Sequence, residues 1–212
     1  MILYGVSISP FVRKVLAFAA EKDIILETKP LGLGSDDPDF LAASPFRKIP
    51  AFQDGDFRIS DSTAIITYLD ALNPEPNLIP SEPRARARTV WYDEFADTIL
   101  FACGRTMFFN RLVSPRFLKR EGDLAAADRA EREELPPVLD YLESVIPDSG
   151  FLVEDRLTLA DIAVASPFVN LGHIGVGIGE RPKLRGYVEA ILARPSFKQW
   201  VDRETAFLAR AA

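Results

Sequence analysis

The chain has 212 residues, 48% hydrophobic and 26% charged, with 25 basic against 31 acidic side chains and a formal net charge of −6. That balance belongs to an ordinary folded chain and argues against a disordered or disulfide-stapled one, and the lack of any lysine and arginine run argues against nucleic acid or an anionic membrane as partner. Cys103 and His173 are the only residues of their kinds, so no internal disulfide forms, no metal site is expected, and a reducing cytoplasm is the expected setting. No apolar stretch approaches the roughly 20 residues of a membrane-spanning helix, and no basic flank ahead of one marks an export signal.

In chain order, the apolar run Ile2 to Val6 reads as a strand, and after Pro10 the spacing of Val12, Val15, Leu16 and Ala19 reads as a helix. Ile24 to Lys29 is strand-like ahead of Pro30 and Gly32, and residues 38 to 43 fit a short helix before Ser44-Pro45. Ile49 to Gln53 and Phe57 to Ser60 flank Asp54-Gly55-Asp56, a tight-turn signal for an antiparallel hairpin. Helical spacing returns over Ser62 to Leu72, which completes a βαβαββα order within about 75 residues, near the small end of domain size. Residues 73 to 83 hold Pro74, Pro76, Pro80 and Pro83 and cannot continue a helix. Every later periodic segment reads as helical: Arg84 to about Val113, Leu124 to Val145, Thr158 to Gly172, Pro182 to Ala193, and Ser196 onward. The expected fold is an α/β domain over residues 1–75, a linker over 76–84, and an all-α helical-bundle domain over 85–212.

Three short stretches carry chemistry. Ser7-Ile8-Ser9-Pro10-Phe11 sits where the first strand becomes the first helix, placing the Ser9 hydroxyl beside unpaired backbone N–H groups that favour an anion; an ordinary N-cap followed by proline has the same signature. Arg47-Lys48-Ile49-Pro50 contains an X-Pro bond able to adopt the cis form. Ser60-Asp61-Ser62 puts a carboxylate and a hydroxyl at the start of the third helix, with Ser62 the expected cap and Asp61 a charge favourable to the helix dipole.

Taken in order, these stretches resemble the cytosolic glutathione S-transferase family, in classes with a Ser-Pro-Phe or Cys-Pro-Phe active-site stretch. Ser44-Pro45-Phe46-Arg47-Lys48-Ile49-Pro50 is similar to that family's Asn-Pro to Lys-Val-Pro segment, with Ser44 in place of the usual asparagine. Leu157-Thr158-Leu159-Ala160-Asp161-Ile162-Ala163 is similar to its helix-starting capping box, a folding element and not a catalytic one. The resemblance implies a thioredoxin-like first domain that binds glutathione as co-substrate, without metal. It implies Ser9 as the catalytic, thiol-activating hydroxyl, with Ser7 as a rival. Phe11, Lys48, Ile49, Pro50, Asp61 and Ser62 would complete the glutathione site, with Lys48 near the glycyl carboxylate and Asp61-Ser62 at the γ-glutamyl end.

A serine in this position cannot form a mixed disulfide, which disfavours thiol-disulfide exchange, and the resemblance implies nucleophilic transfer of the glutathione thiolate to a small, largely apolar electrophile. The pocket for that second substrate is expected from the helical domain, around Phe101, Arg105 and Phe108 together with Phe11, in a region that also holds Met107, Phe109 and Arg111. Phe46 is the expected dimer contact, inserted into a partner copy of a homodimer. Two other readings stay open: a non-catalytic interaction protein on the same fold, and a glutathione-dependent isomerase or dehalogenase.

Overall fold

The computed structural model describes residues 1–32 and 34–210. The chain divides into two compact units, the first made of Met1–Ile79 with the segment from Arg194 onward, the second of Pro80–Ala193.

The first unit is built on a four-stranded sheet in the order β2-β1-β3-β4. Strand β1 is Ile2–Tyr4, β2 Glu27–Lys29, β3 Ala51–Asp54 and β4 Phe57–Ser60. β1 pairs parallel with β2 and antiparallel with β3, and β3 pairs antiparallel with β4. Three strands are shorter than expected. β3 begins only at Ala51, because Pro50 has no amide hydrogen to give a ladder. β2 lies at the sheet edge and pairs over just Glu27 to Lys29, leaving Ile25 exposed. The β3–β4 turn is made by Gly55 and Asp56, with Gly55 in the left-handed region at φ 60°.

Helices α1 (Pro10–Glu21), α2 (Pro38–Ala43) and α3 (Ser62–Leu72) belong to this sheet. Leu3, Val15, Phe18, Phe52, Ile65 and Leu69 form its interior, all without solvent exposure. Helix α10 (Pro195–Arg210) also packs here, against α1. Glu21 at the end of α1 accepts from Arg194 at 2.8 and 2.7 Å, and the buried Arg13 meets the buried Glu204 at 3.5 Å, so the two helices run antiparallel. The expected domain division differs on this point, since it placed 194–212 with the helical part. The amphipathic face of α10, with Phe197 and Leu208, is buried by the first unit. Residues 211 and 212 of that expected helix lie outside the described residues.

Nor is the expected linker over 76–84 a free tether throughout. Lys22 donates to the carbonyls of Asn73 at 2.6 Å and Pro76 at 2.7 Å and pairs with Asp70 at 2.8 Å, and Leu78 and Ile79 are buried with the first unit.

The second unit contains α4 (Pro83–Glu94), α5 (Phe101–Phe108), α6 (Leu124–Arg129), α7 (Leu135–Val145), α8 (Leu159–His173) and α9 (Pro182–Leu192). Wider π-helical turns at Phe95–Leu100, Phe109–Phe117 and Ala130–Glu134 join α4 to α5, extend α5, and join α6 to α7. Helix α8 is buried from Leu159 to Leu171 on every side, as an all-round apolar helix must be, and it is the axis of the unit. Its start is a capping box in which the Asp161 carboxylate accepts from the Thr158 amide at 2.9 Å and also from the Leu152 amide at 2.9 Å.

Candidate active site

Register places three loops on one edge of the sheet. Tyr4 is opposite Ala51, and Ala51 is opposite Ser60. The segment after β1, the segment before β3 and the segment after β4 therefore all leave the sheet at the same end. They carry Ser9, Ile49-Pro50 and Asp61-Ser62, in that order.

Ser9 is the N-cap residue of α1, with extended backbone at φ −73° and ψ 125°, and Pro10 follows at the first helical position. Its carbonyl accepts from the Arg13 amide at 3.0 Å, yet its hydroxyl makes no capping hydrogen bond. An N-cap serine ordinarily spends its oxygen on an amide of the first turn; here it makes no such bond. Ser7 lies two residues upstream in the preceding turn. Phe11, half-buried, follows in the first turn of the helix.

The second loop contains a cis Ile49-Pro50 bond. It approaches the first loop closely at Gly5: a Cβ built there would lie 2.7 Å from Val12 Cγ2 and 3.2 Å from Ile49 Cβ, and the Gly5 φ of 137° also favours glycine. Lys48 is exposed, but its backbone is held. The Lys48 amide donates to Ser44 Oγ at 2.9 Å and the Ser44 hydroxyl donates to the Lys48 carbonyl at 2.8 Å. A glycine directly after the first strand is the signal in the sequence for this close approach, whereas nothing local to Ser44 signals its bonds to Lys48.

The third loop meets the second where the Asp61 amide donates to the Pro50 carbonyl at 3.4 Å. Here the expected capping roles are corrected. Asp61 is the N-cap of α3, its Oδ1 accepting from Thr63 at 2.9 Å and Ala64 at 3.0 Å, while Ser62 is the first helical residue and is buried. Both residue types cap helices well, and the choice follows from the backbone: Asp61 has φ 89° and ψ 131°, outside helical space.

Phe101, Arg105 and Phe108 all lie on α5 in the second unit, at spacings of four and three residues that put them on one helix face. Phe101 and Phe108 are half-buried and Arg105 is exposed. Of their neighbours, Met107 is fully buried core, and Arg111 is committed to Asp128 at 2.7 Å and to Glu131. Cys103 is buried, with its thiol pushed above its usual pKa by that burial. Among the described residues no group of three or more His, Cys, Asp or Glu side chains could hold a metal ion, and no helix is long and apolar enough to cross a membrane.

A four-stranded sheet in the order β2-β1-β3-β4 that carries these three loops at one end, followed by a helical unit, defines a thioredoxin-like domain joined to an all-helical one. Comparison with known proteins agrees. The glutathione S-transferase N-terminal domain matches residues 3–77 and the glutathione S-transferase C-terminal domain matches residues 101–195. Glutathione S-transferase 3 of Zea mays is 32% identical over 94% of this chain and 92% of its own, and a glutathione S-transferase of Hyoscyamus muticus is 30% identical over 95% and 98%. A solved glutathione S-transferase-I bound with lactoylglutathione superposes with a TM-score of 0.84 at 25% identity, covering 95% of this chain and 98% of that one. The chain belongs to the glutathione S-transferase family. It is an enzyme of that family, and glutathione is its co-substrate.

Proposed function

We propose that this enzyme activates the glutathione thiol through Ser9 and transfers it to a small, largely apolar electrophile. The observation that carries the reading is the Ser9 hydroxyl, placed at the N-terminus of α1 without a capping bond of its own. A free thiol titrates near 8.5, and a hydroxyl donor together with the positive end of a helix dipole favours its ionised form. The thiolate then attacks an electrophilic carbon, and the leaving group or the adjacent atom takes up the displaced electron pair.

In this reading the backbone around Ile49-Pro50 meets the cysteinyl part of glutathione, Phe11 flanks it, Lys48 faces the glycyl carboxylate, and Asp61 with Ser62 holds the γ-glutamyl end. Thr63 and Ala64 both bond Oδ1 of Asp61, which orients the carboxylate. Phe101, Arg105 and Phe108 on α5 are the face assigned to the second substrate. Phe46 is 86% exposed, as an aromatic anchor awaiting a partner copy must be, and a cytoplasmic homodimer completes the assignment.

Ser9→Ala is the test. Turnover of an activated aryl halide at saturating glutathione should fall on the order of 10²-fold, as for loss of one preorganised anion donor, with glutathione affinity nearly intact. Full activity in Ser9→Ala beside an inactive Ser7→Ala would transfer the role to Ser7. Turnover of unsaturated diketo acids in place of aryl halides would assign the isomerase chemistry, and failure to bind a glutathione column would leave only an interaction protein.

A further inference from the structure

The five-residue loop from Ser44 to Lys48 has one fully buried polar member. Phe46, Arg47 and Lys48 are exposed, whereas Ser44 is fully buried at the end of α2. The chain doubles back on it: the Arg47 amide donates to the Ser44 carbonyl at 2.9 Å, and Arg47 has a left-handed φ of 56°. One hydroxyl then engages both polar groups of the Lys48 backbone, accepting from its amide at 2.9 Å and donating to its carbonyl at 2.8 Å. A hydroxyl has one proton to donate and lone pairs to accept with, and here both functions go to a single residue.

We propose that Ser44 is the positioning residue for Lys48: its side chain fixes the Lys48 backbone, and so the origin of an otherwise solvent-exposed ammonium, for recognition of the carboxylate at the glycyl end of glutathione. The inference rests on the reading that Lys48 faces that carboxylate. A lysine is a compact charge on a flexible stem, so its preference for one carboxylate depends on where the stem is rooted. With Ser44 removed, water satisfies the freed Lys48 groups at the exposed loop and the root moves; the fold keeps its sheet, and the binding step loses preorganisation.

The experiment is titration calorimetry of the full chain with glutathione and with glutathione monoethyl ester, whose glycyl carboxylate is blocked. Wild type should prefer glutathione about tenfold, the scale of one charge-assisted contact. Ser44→Ala and Lys48→Met should each lose most of that preference by weakening glutathione alone, leaving ester affinity unchanged, and the double variant should be no worse than Lys48→Met, since the two act through one contact. Turnover at saturating glutathione should hold within about twofold in Ser44→Ala, because the reacting sulfur is remote from the glycyl end. Ser44→Cys, close in volume with a weakly bonding sulfur, reads the same loss if the alanine variant does not fold. A Ser44 variant that keeps the wild-type preference, beside a Lys48→Met that loses it, overturns the positioning role alone. Equal binding of both ligands by wild type and Lys48→Met overturns the Lys48 assignment beneath it.

Discussion

Replacing Asp161 with alanine should destabilise the helical unit by about 4 kcal/mol in mild acid, and by less as the pH rises. The carboxylate is fully buried and accepts the Leu152 and Thr158 amides at 2.9 Å each, with the Thr158 hydroxyl at 3.2 Å and the Tyr187 hydroxyl at 3.3 Å. Alanine strands two buried amides, each costing about 1–3 kcal/mol. Burial also pushes the Asp161 pKa from 3.8 up to about 6, against the opposing pull of the hydrogen bonds it accepts. A folded-state pKa above the unfolded one means that the native state holds the proton more tightly. The stabilisation from that proton is complete below pH 3.8 and is lost as pH rises through about 6. The wild type loses it and the variant has none to lose, so the gap between them should narrow by about 2 kcal/mol from pH 4.5 to pH 8. Urea unfolding followed by fluorescence of Trp91, which stacks on Phe95 in the helical unit, measures this in a Trp200→Phe background. A gap below about 1 kcal/mol at pH 4.5 would refute the stranded amides, and a gap that widens with pH would refute burial as the dominant influence on the carboxyl.

Glu21 predicts the opposite acid response in the first unit. Burial raises its pKa, but hydrogen bonds from Arg194 and Ser196 outweigh burial and hold it below the usual carboxylate value, so its stabilisation is present above the unfolded pKa and is lost as pH falls through the folded one; Glu21→Gln should flatten the acid limb of the thermal-melting curve, and an unchanged limb would remove the clamp from the account. Asp61→Ala should cost about 1 kcal/mol of stability as a lost N-cap and weaken glutathione binding at the same time, measured by unfolding and by calorimetry, and normal affinity would exclude Asp61 from the site. Phe46→Ser should raise the dimer dissociation constant with helical content unchanged, by more than about 2 kcal/mol if it is an interface anchor; sedimentation over a dilution series decides, and equal dimer stability in both proteins would rule the anchor out.

Elements with strong local signals are legible in the residues alone. The alternation and turn around Gly55 locate β4, and the spacing from Ser62 to Leu72 bounds α3. Leu124 to Val145 is legible as helix, but the π-helical turn at Ala130–Glu134 is not, because widening answers to packing against neighbours rather than to local propensity. Ile24 and Ile25 have strand-forming side chains, yet β2 pairs only where β1 supplies partners. At the site, the order of Ser9, Pro50 and Asp61 is readable, and the hairpin brings Pro50 and Asp61 to one end, while the loop of Ser9 joins them only through the antiparallel pairing of β1 with β3. What stays hidden depends on backbone angle or distant partners: the choice of Asp61 over Ser62 as cap, the return of Ser44 to Lys48, and the pairing of Arg13 with Glu204. An amphipathic pattern such as that of α10 says that one face will be buried, not by what.

Because α10 completes the sheet-bearing unit, that unit is discontinuous in the chain while the helical one is not. During synthesis at about 5–20 residues per second, the ribosome finishes Ile79 and then spends roughly ten seconds on the intervening stretch before Arg194 is made. The buried pair of Arg13, in the first turn of α1, with Glu204 of α10 therefore joins residues made far apart in time, and burial draws the folded pKa of that guanidinium down to about 10.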